Sequence, residues 1–236
     1  MKIEIFPDAE AVARKGAEII AAEARAAVKA RGRFIVAVSG GHTPWQMLRA
    51  LAGEQLPWPS VHLFQVDERV APSGDPERNL THIQESLLGA VNLPPGNLHA
   101  MPVEIPDLSE AARRYERELA MVAATPPVLD VVHLGLGPDG HTASLVPNDP
   151  VLDVSDSDVA VTGLYGGHRR ITLTYPALDR ARQVLWVITG AEKAPVLPRL
   201  MMGDRSIPAG RVRADRALVL ADRAAAARLT AAQGGR

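Results

Sequence analysis

The chain has 236 residues, of which 47% are hydrophobic, and its formal net charge at pH 7 is −1. This length and composition are sufficient for a sizeable core, in one α/β domain or two small ones. The charge balance lacks the basic excess of nucleic-acid binders. No apolar run reaches membrane-spanning length. Polar residues near the start interrupt the apolar region that a signal peptide needs. The absence of cysteine excludes disulfides, thiolate metal sites and a cysteine nucleophile, and is compatible with a cytoplasmic location.

Strand and helix patterns alternate along the whole chain. Short apolar or alternating runs predict strands at 3–6, 34–38, 61–66, 98–101, 130–136, 159–164, 170–175, 184–189 and 217–221. Helical spacing and capping residues predict helices from Asp8 to about Arg31, from near Pro44, over 79–88, from Ser109 to about Ala124, from Pro176, after Gly190 and from Asp222 onwards. We therefore predict one compact domain over 1–236, of α/β class, with a mostly parallel, Rossmann-like sheet flanked by helices.

A glycine-rich loop follows the second predicted strand and leads into a helix. It contains Ser39, Gly40, Gly41 and Thr43, and Pro44 suits the first helical position. Backbone N–H groups and the positive end of the helix dipole would point the same way, and the two hydroxyls add donors, so the loop predicts a phosphate site. The Lys-Ser/Thr ending of a nucleoside-triphosphate loop is missing. An ordinary glycine turn is the alternative.

Three charged residues follow the next predicted strand. Asp67, Glu68 and Arg69 stand together at its carboxyl end. Such a cluster predicts part of a functional site, with a solvated loop containing an internal ion pair as the alternative.

The most informative stretch is the turn after the predicted strand at 130–136. It contains Gly135, Gly137 and Gly140, and Asp139 and His141 lie inside it. Ligands of open α/β sheets bind at the carboxyl ends of strands, where glycines permit close approach to the backbone. An acid two residues from a histidine is the pattern of a general base and its orienting partner.

Two other interpretations of this turn remain. The glycine spacing also matches a dinucleotide fingerprint, but Pro147 and Pro150 cut short the helix that such a site needs. Asp139 would also place a negative charge beside the phosphates. A tight turn with a hydrogen-bonded His141 is the structural alternative.

Among the seven histidines, His141 alone combines a strand end, a glycine turn and an adjacent acid. His62 and His133 lie inside predicted strands, which favours structural roles. No pair has the His-Glu-x-x-His spacing, so no metal site is predicted. Lys193 occupies the first turn of a helix, where the dipole disfavours a cation unless an anion is bound nearby.

Taken together, these motifs resemble the 6-phosphogluconolactonase family, which is similar in fold to the glucosamine-6-phosphate deaminases. The matching segments occur in the order of the family and spread over most of the chain. They are SGGHTP at 39–44, VDER at 66–69, LGLGPDGHTASLVP at 134–147, RITLTYPAL at 170–178 and GAEKAPVL at 190–197.

The resemblance implies a hydrolase without metal or cofactor that opens 6-phosphoglucono-δ-lactone to 6-phosphogluconate in the oxidative pentose phosphate pathway. His141 is then the catalytic base, oriented by Asp139 or Asp67. The oxyanion would be met by backbone N–H groups of the glycine turn or by Arg69, itself also a phosphate candidate. The implied phosphate-binding residues are Ser39, Gly40, Gly41 and Thr43, with Arg170 and Lys193 as clamps.

The chain departs from the motifs of the deaminases and of the lactonase family at a few positions, which bear on the choice between functions. The deaminases place a glutamate five residues after the histidine, and this chain has Val146 there. Arg78 precedes Asn79 where the family more often has a small residue, which implies a variant loop wall and leaves the role of Asn79 open. A non-catalytic phosphosugar sensor is a further alternative, but the chain leaves no room for a DNA-binding helix-turn-helix.

Overall fold

The computed structural model describes residues 1–229, and over this part it contains ten strands and six α-helices. The strands are β1 (Lys2–Phe6), β2 (Phe34–Val38), β3 (Val61–Gln65), β4 (Asp67–Arg69), β5 (Leu98–His99), β6 (Val131–Leu134), β7 (Val159–Val161), β8 (Arg170–Leu173), β9 (Gln183–Ile188) and β10 (Ala217–Asp222). The helices are α1 (Ala9–Arg31), α2 (His42–Ala52), α3 (Asn79–Ile83), α4 (Leu108–Ala123), α5 (Tyr175–Asp179) and α6 (Leu197–Met201). There are also short 3₁₀ segments at Trp58–Ser60, Pro95–Asn97, Pro150–Asp153, Ala191–Lys193 and Pro208–Arg211, and a π-helical segment at Gln84–Leu88.

Seven strands form one parallel sheet in the order β1-β10-β9-β6-β2-β3-β5. The predicted α/β class with a mostly parallel sheet is therefore confirmed. Strands β9, β6, β2 and β3 are consecutive neighbours in this sheet, so their carboxyl ends lie side by side. Loops from these four ends are the ones that an open α/β sheet uses for ligand binding.

Helices cover both faces of the sheet. On β2, Phe34, Val36 and Val38 pack with α1 and α2, while Ile35 and Ala37 pack with α4 on the other face. This alternation follows from the period of two along a strand. A strand that is apolar at every position, as β2 is, therefore has both of its faces buried.

The ends of α1 are set by its capping residues, as predicted. The carboxylate of Asp8 accepts the N–H of Ala11 at 2.8 Å, and Gly32 ends the helix with a left-handed φ of 73°. Asp caps satisfy free N–H groups of the first turn, and glycine adopts a positive φ without strain.

The predicted cap of α4 at Ser109 is wrong. The helix begins at Leu108, and the carboxylate of Asp107 accepts the N–H groups of Ser109 and Glu110. A carboxylate two residues earlier competes successfully because it can accept both N–H groups at once.

A second sheet, not foreseen from the sequence, lies beside the first. It is antiparallel, in the order β4-β8-β7, and pairs Asp67 with Thr172 and Arg69 with Arg170. The acidic and basic cluster after β3 is thus strand rather than loop, because the chain continues directly from the parallel sheet into this ribbon.

Several other predicted elements differ in extent. The predicted helix at 79–88 is divided into α3 and the π-helical segment, β7 ends at Val161, and Lys193 lies in a short 3₁₀ segment. At the predicted final helix, residues 223–226 form a turn and residues 227–229 are helical, and the part of that prediction beyond residue 229 lies outside the described residues. None of the helices within residues 1–229 is both long and apolar enough to cross a membrane.

Candidate active site

Loops from the carboxyl ends of β2, β6 and β9, together with β4 and β8, surround a cavity of about 290 Å³. The residues that the sequence predicted for chemistry or binding line this cavity, except Asp139 and Glu68. They are Ser39, Gly40, Gly41, Thr43, Asp67, Arg69, His141, Arg170 and Lys193. Asp139 does not line the cavity itself, but it contacts His141, which does.

The turn after β6 closes on itself around the ring of His141. The N–H of Gly137 donates to the carbonyl of His141 at 2.8 Å, and the N–H of Gly140 donates to the carbonyl of Gly137 at 3.0 Å. A Cβ on Gly137 would lie 2.1 Å from His141 Nδ1, so the ring occupies space that only glycine leaves open. The glycines of this turn therefore determine where the imidazole sits.

Asp139 binds both the ring and the backbone of His141. Its Oδ1 lies 2.6 Å from Nδ1 and accepts the backbone N–H of His141 at 3.2 Å. Partial burial works to raise the pKa of Asp139, but the adjacent imidazole and its hydrogen bonds bring that pKa below the usual value. With Nδ1 committed to the carboxylate, Nε2 is the ring nitrogen that can serve a ligand.

Tyr165, in the turn between β7 and β8, joins this pair and was missed by the sequence analysis. Its hydroxyl donates to Asp139 Oδ2 at 3.1 Å and lies 3.4 Å from His141 Nδ1. Its ring meets the imidazole edge to face, with centroids 5.5 Å apart. The only local signal was the turn formed by the two glycines after it, because the contact spans 26 residues of sequence.

Asp67 is nearly buried and belongs to a different set of contacts. Its Oδ2 accepts the hydroxyl of Ser144 at 2.5 Å, while the side-chain amide of Asn79 donates to its carbonyl at 2.9 Å and to its Oδ1 at 3.4 Å. Burial raises the pKa of Asp67, opposed by the Ser144 hydrogen bond and the Arg170 charge. Of the two acids considered as the orienting partner of His141, Asp139 makes the hydrogen bond.

Glu68 is fully buried and organises the loop that carries Asn79. It accepts the backbone N–H groups of Arg69, Asn79 and Leu80, each at 2.8 Å. Arg78, also buried, places Nε 3.2 Å from this carboxylate and donates from Nη1 to Glu104 at 2.8 Å. Arg78, which departs from the family pattern, thus supports the loop from inside. Glu68, the middle residue of the charged cluster, is structural.

Arg69 reaches the cavity from β4. Its Nη1 donates to the carbonyl of Glu77 at 2.7 Å and lies 3.5 Å from the Glu77 carboxylate. One nitrogen of the guanidinium is therefore anchored, and the side chain keeps about a quarter of its surface exposed at 28%.

Arg170 is a buried cation whose hydrogen bonds are poorly satisfied. Its contacts to the Ser144 hydroxyl and the Tyr165 carbonyl are long, at 3.5 and 3.4 Å, and its Nε has no partner among the described residues. Its guanidinium lies 5.2 Å from the centroid of the Tyr165 ring. Burial lowers the pKa of Arg170, with the Asp67 charge opposing this. A buried guanidinium with free donors at a cavity is suited to an anion.

The glycine loop differs from expectation in one respect. Ser39 does not offer its hydroxyl to the cavity, because that group donates to the carbonyl of His133 at 2.9 Å. Gly40 is required because a Cβ there would lie 1.8 Å from Asn79 Oδ1. Helix α2 follows Gly41 and has no side-chain cap among the described residues, so its first N–H groups are available to an anion.

The loop after β9 forms the opposite wall of the cavity. The Thr189 hydroxyl is hydrogen-bonded to the Thr43 hydroxyl, which joins this loop to the start of α2. Lys193 is mostly buried, and its Nζ lies 3.7 Å from the exposed Glu192 carboxylate. Within residues 1–229, no three His, Cys, Asp or Glu side chains are grouped as metal ligands.

Comparison with known proteins gives matches over nearly the whole chain. The family model for glucosamine-6-phosphate isomerases/6-phosphogluconolactonase matches residues 7–220. The 6-phosphogluconolactonase of Mycobacterium tuberculosis is 39% identical, over 96% of this chain and 98% of its own length. That of Nostoc sp. is 37% identical, over 84% of each chain. The crystal structure of 6-phosphogluconolactonase from Thermotoga maritima superposes with a TM-score of 0.84 at 30% identity, covering 94% of this chain and 98% of that one.

Proposed function

Since the chain belongs to the family of glucosamine-6-phosphate isomerases and 6-phosphogluconolactonases, we propose that its cavity is the active site and that His141 is the general base. The enzyme hydrolyses 6-phospho-D-glucono-1,5-lactone to 6-phospho-D-gluconate, the second step of the oxidative pentose phosphate pathway. The observation that carries the site assignment is the Asp139–His141 pair on the wall of a cavity that also contains three basic side chains, those of Arg69, Arg170 and Lys193.

The reaction begins with proton transfer to His141. Nε2 of the neutral imidazole takes a proton from water, and the resulting hydroxide attacks the lactone carbonyl carbon. Asp139 holds Nδ1–H and stabilises the imidazolium that forms, because its depressed pKa keeps it ionised. The imidazolium then returns the proton to the ring oxygen as the C–O bond breaks. General acid–base catalysis of this kind contributes about 10²- to 10⁴-fold in rate.

Arg69 is the donor that we propose for the oxyanion. The N–H groups of Gly137 and Gly140 already donate within the turn, which leaves the turn poorly suited to this task. The guanidinium of Arg69 has one nitrogen anchored on Glu77 and the others available. A fixed positive group at the point where negative charge develops stabilises the transition state.

The phosphate is proposed to bind between the start of α2 and Lys193. These two walls are joined by the contact between Thr43 and Thr189, and the first turn of α2 has uncapped N–H groups. Arg170 supplies a second cation whose hydrogen bonds are incomplete. Fixing the phosphate at this end positions the lactone ring over His141, and such positioning lowers the entropic cost of the reaction.

The position of Val146 argues against a deaminase reaction. Val146 occupies the position of the deaminase glutamate, and its side chain is only 3% exposed within the core. No proton-transfer group is therefore supplied to the cavity from this position. Cytoplasmic location, a single domain over 1–236 and the absence of nucleic-acid partners stay predictions.

The test is lactone hydrolysis by the purified protein. Glucose-6-phosphate dehydrogenase generates the lactone in place, and its loss is followed against spontaneous hydrolysis for wild type and His141→Asn. His62→Asn, on a strand outside the cavity, is the matched control. We expect acceleration by wild type and the control only. Equal activity of His141→Asn would contradict the base assignment, whereas deamination of glucosamine 6-phosphate without lactone hydrolysis would contradict the reaction.

A further inference from the structure

The turn between β7 and β8 brings one hydroxyl group to the acid that orients His141. Tyr165 donates this hydroxyl to Asp139 Oδ2 at 3.1 Å, while Asp139 Oδ1 meets His141 Nδ1 at 2.6 Å. Each oxygen of the carboxylate thus has its own partner. Neither the pattern of the glycine turn nor the resemblance of the sequence assigns a role to this tyrosine.

We propose that Tyr165 is a positioning residue for the lactonase reaction, which fixes the Asp139 carboxylate and moderates its basicity toward the His141 imidazole. The proposal rests on the assigned role of His141 as the base. A carboxylate with one oxygen hydrogen-bonded to a hydroxyl cannot rotate away from the imidazole without breaking that bond. The hydrogen bond from the hydroxyl also stabilises the negative charge of the carboxylate, so the carboxylate attracts the imidazolium proton less strongly.

The ring of Tyr165 is itself held in place by neighbouring groups. It meets the imidazole edge to face at 5.5 Å, and the guanidinium of Arg170 lies over it at 5.2 Å. These contacts, together with the backbone hydrogen bonds between Tyr165 and His168, aim the hydroxyl at Asp139. Burial, the Asp139 charge and the hydrogen bond to Asp139 raise the pKa of Tyr165, so the hydroxyl remains a donor at neutral pH.

The charged groups around His141 determine the direction in which loss of the Tyr165 hydroxyl shifts the pH dependence of activity. Asp139 faces the imidazole from its own turn and Tyr165 faces it from the β7–β8 turn. The other titratable or charged side chains that line the same cavity are those of His42, Asp67, Arg69, Arg170, Glu192 and Lys193. Removing the Tyr165 hydroxyl leaves all of these in place and makes the Asp139 carboxylate a stronger base. The imidazolium then persists to higher pH.

The decisive variant is Tyr165→Phe, which keeps the ring and its contacts and removes only the hydroxyl. Its matched control is Tyr175→Phe, which removes a hydroxyl that donates to the Pro208 carbonyl outside the cavity. We expect kcat of Tyr165→Phe to fall about threefold to tenfold, which corresponds to the loss of one ordinary hydrogen bond. We expect the acidic limb of its kcat/KM profile to move up by about half a pH unit. The control should match wild type in both.

An NMR titration of the imidazole signals gives a second readout that does not need turnover. The His141 signal is identified by its loss in His141→Asn, and its midpoint should rise in Tyr165→Phe. A kcat loss without movement of the acidic limb, or wild-type kcat with an unmoved limb, would overturn the proposal. A wrong assignment of His141 as the base gives a different result, because His141→Asn would then retain activity.

Discussion

Ser39 donates two hydrogen bonds to His133 across the neighbouring strands β2 and β6. Its backbone N–H meets His133 Nδ1 at 3.2 Å, and its hydroxyl meets the His133 carbonyl at 2.9 Å. The acceptor role of Nδ1 requires a neutral imidazole, and complete burial lowers the pKa of His133 to about 3. The start of the glycine loop is therefore tied to a histidine that the fold keeps uncharged.

This relationship predicts a loss of stability in mild acid. Between about pH 6.5 and pH 3 the unfolded chain binds a proton at His133 that the folded chain does not, so the free energy of unfolding falls as the pH falls. The contribution is about 2 kcal/mol between pH 7 and pH 5. Urea unfolding of wild type and His133→Gln at the two pH values measures it. The variant should lose less stability on acidification, and an equal loss would contradict the assignment.

Removal of the charge on Asp139 should slow the chemical step. Asp139→Asn keeps the shape of the side chain but does not stabilise an imidazolium, and its amide can present an N–H to Nδ1. We expect kcat to fall about 10²-fold or more with KM little changed. Asp156→Asn, an exposed acid outside the cavity, is the control. A kcat within twofold of wild type would remove Asp139 from the mechanism.

A methyl group at Gly137 should displace the base. The new Cβ would fall 2.1 Å from His141 Nδ1 and 2.3 Å from Cε1, so the ring must move. Misplacement by about 1 Å can cost about 10²-fold in rate. We expect Gly137→Ala to lose activity accordingly, with the melting temperature reported alongside. Gly96→Ala, where a Cβ meets nothing within 4 Å, should behave as wild type.

Lys193 should contribute to substrate affinity rather than to chemistry. Lys193→Met keeps most of the aliphatic chain and removes the charge beside the start of α2. Loss of one charge-assisted hydrogen bond predicts an increase in KM of about tenfold, with kcat within about threefold. Lys15→Met, which removes a surface lysine paired with Glu18, is the control. An unchanged KM in Lys193→Met would exclude it from the phosphate site.

Arg78 should matter for stability through its buried partner. Arg78→Met leaves Glu68 buried without its cation, and breaking a buried pair in this way costs about 3 kcal/mol or more. Glu104→Gln removes the other partner of Arg78, whose side chain is half exposed, and should cost less than about 1 kcal/mol. Chemical unfolding of the two variants distinguishes them. Similar losses would show that burial of the Glu68–Arg78 pair is not the deciding factor.

The sequence predicted most of the parallel sheet and several boundaries within one or two residues. The apolar run of β2 and the caps of α1 were identified correctly because strand period, Asp caps and glycine stops are local signals. The cap of α4 was assigned to Ser109 instead of Asp107, since both residues are good caps. The second sheet was missed because antiparallel pairing of Asp67 with Thr172 joins segments far apart in sequence.

What the sequence by itself determined is the glycine turn with Asp139 and His141, because its geometry depends on residues within one turn of chain. The tertiary structure alone decided that the Tyr165 hydroxyl reaches Asp139, that Ser39 is turned toward His133, and that Glu68 is buried. These contacts depend on which strands are neighbours and on how loops cross their ends. Strand order and loop crossing follow from packing of the whole core, which no local pattern contains.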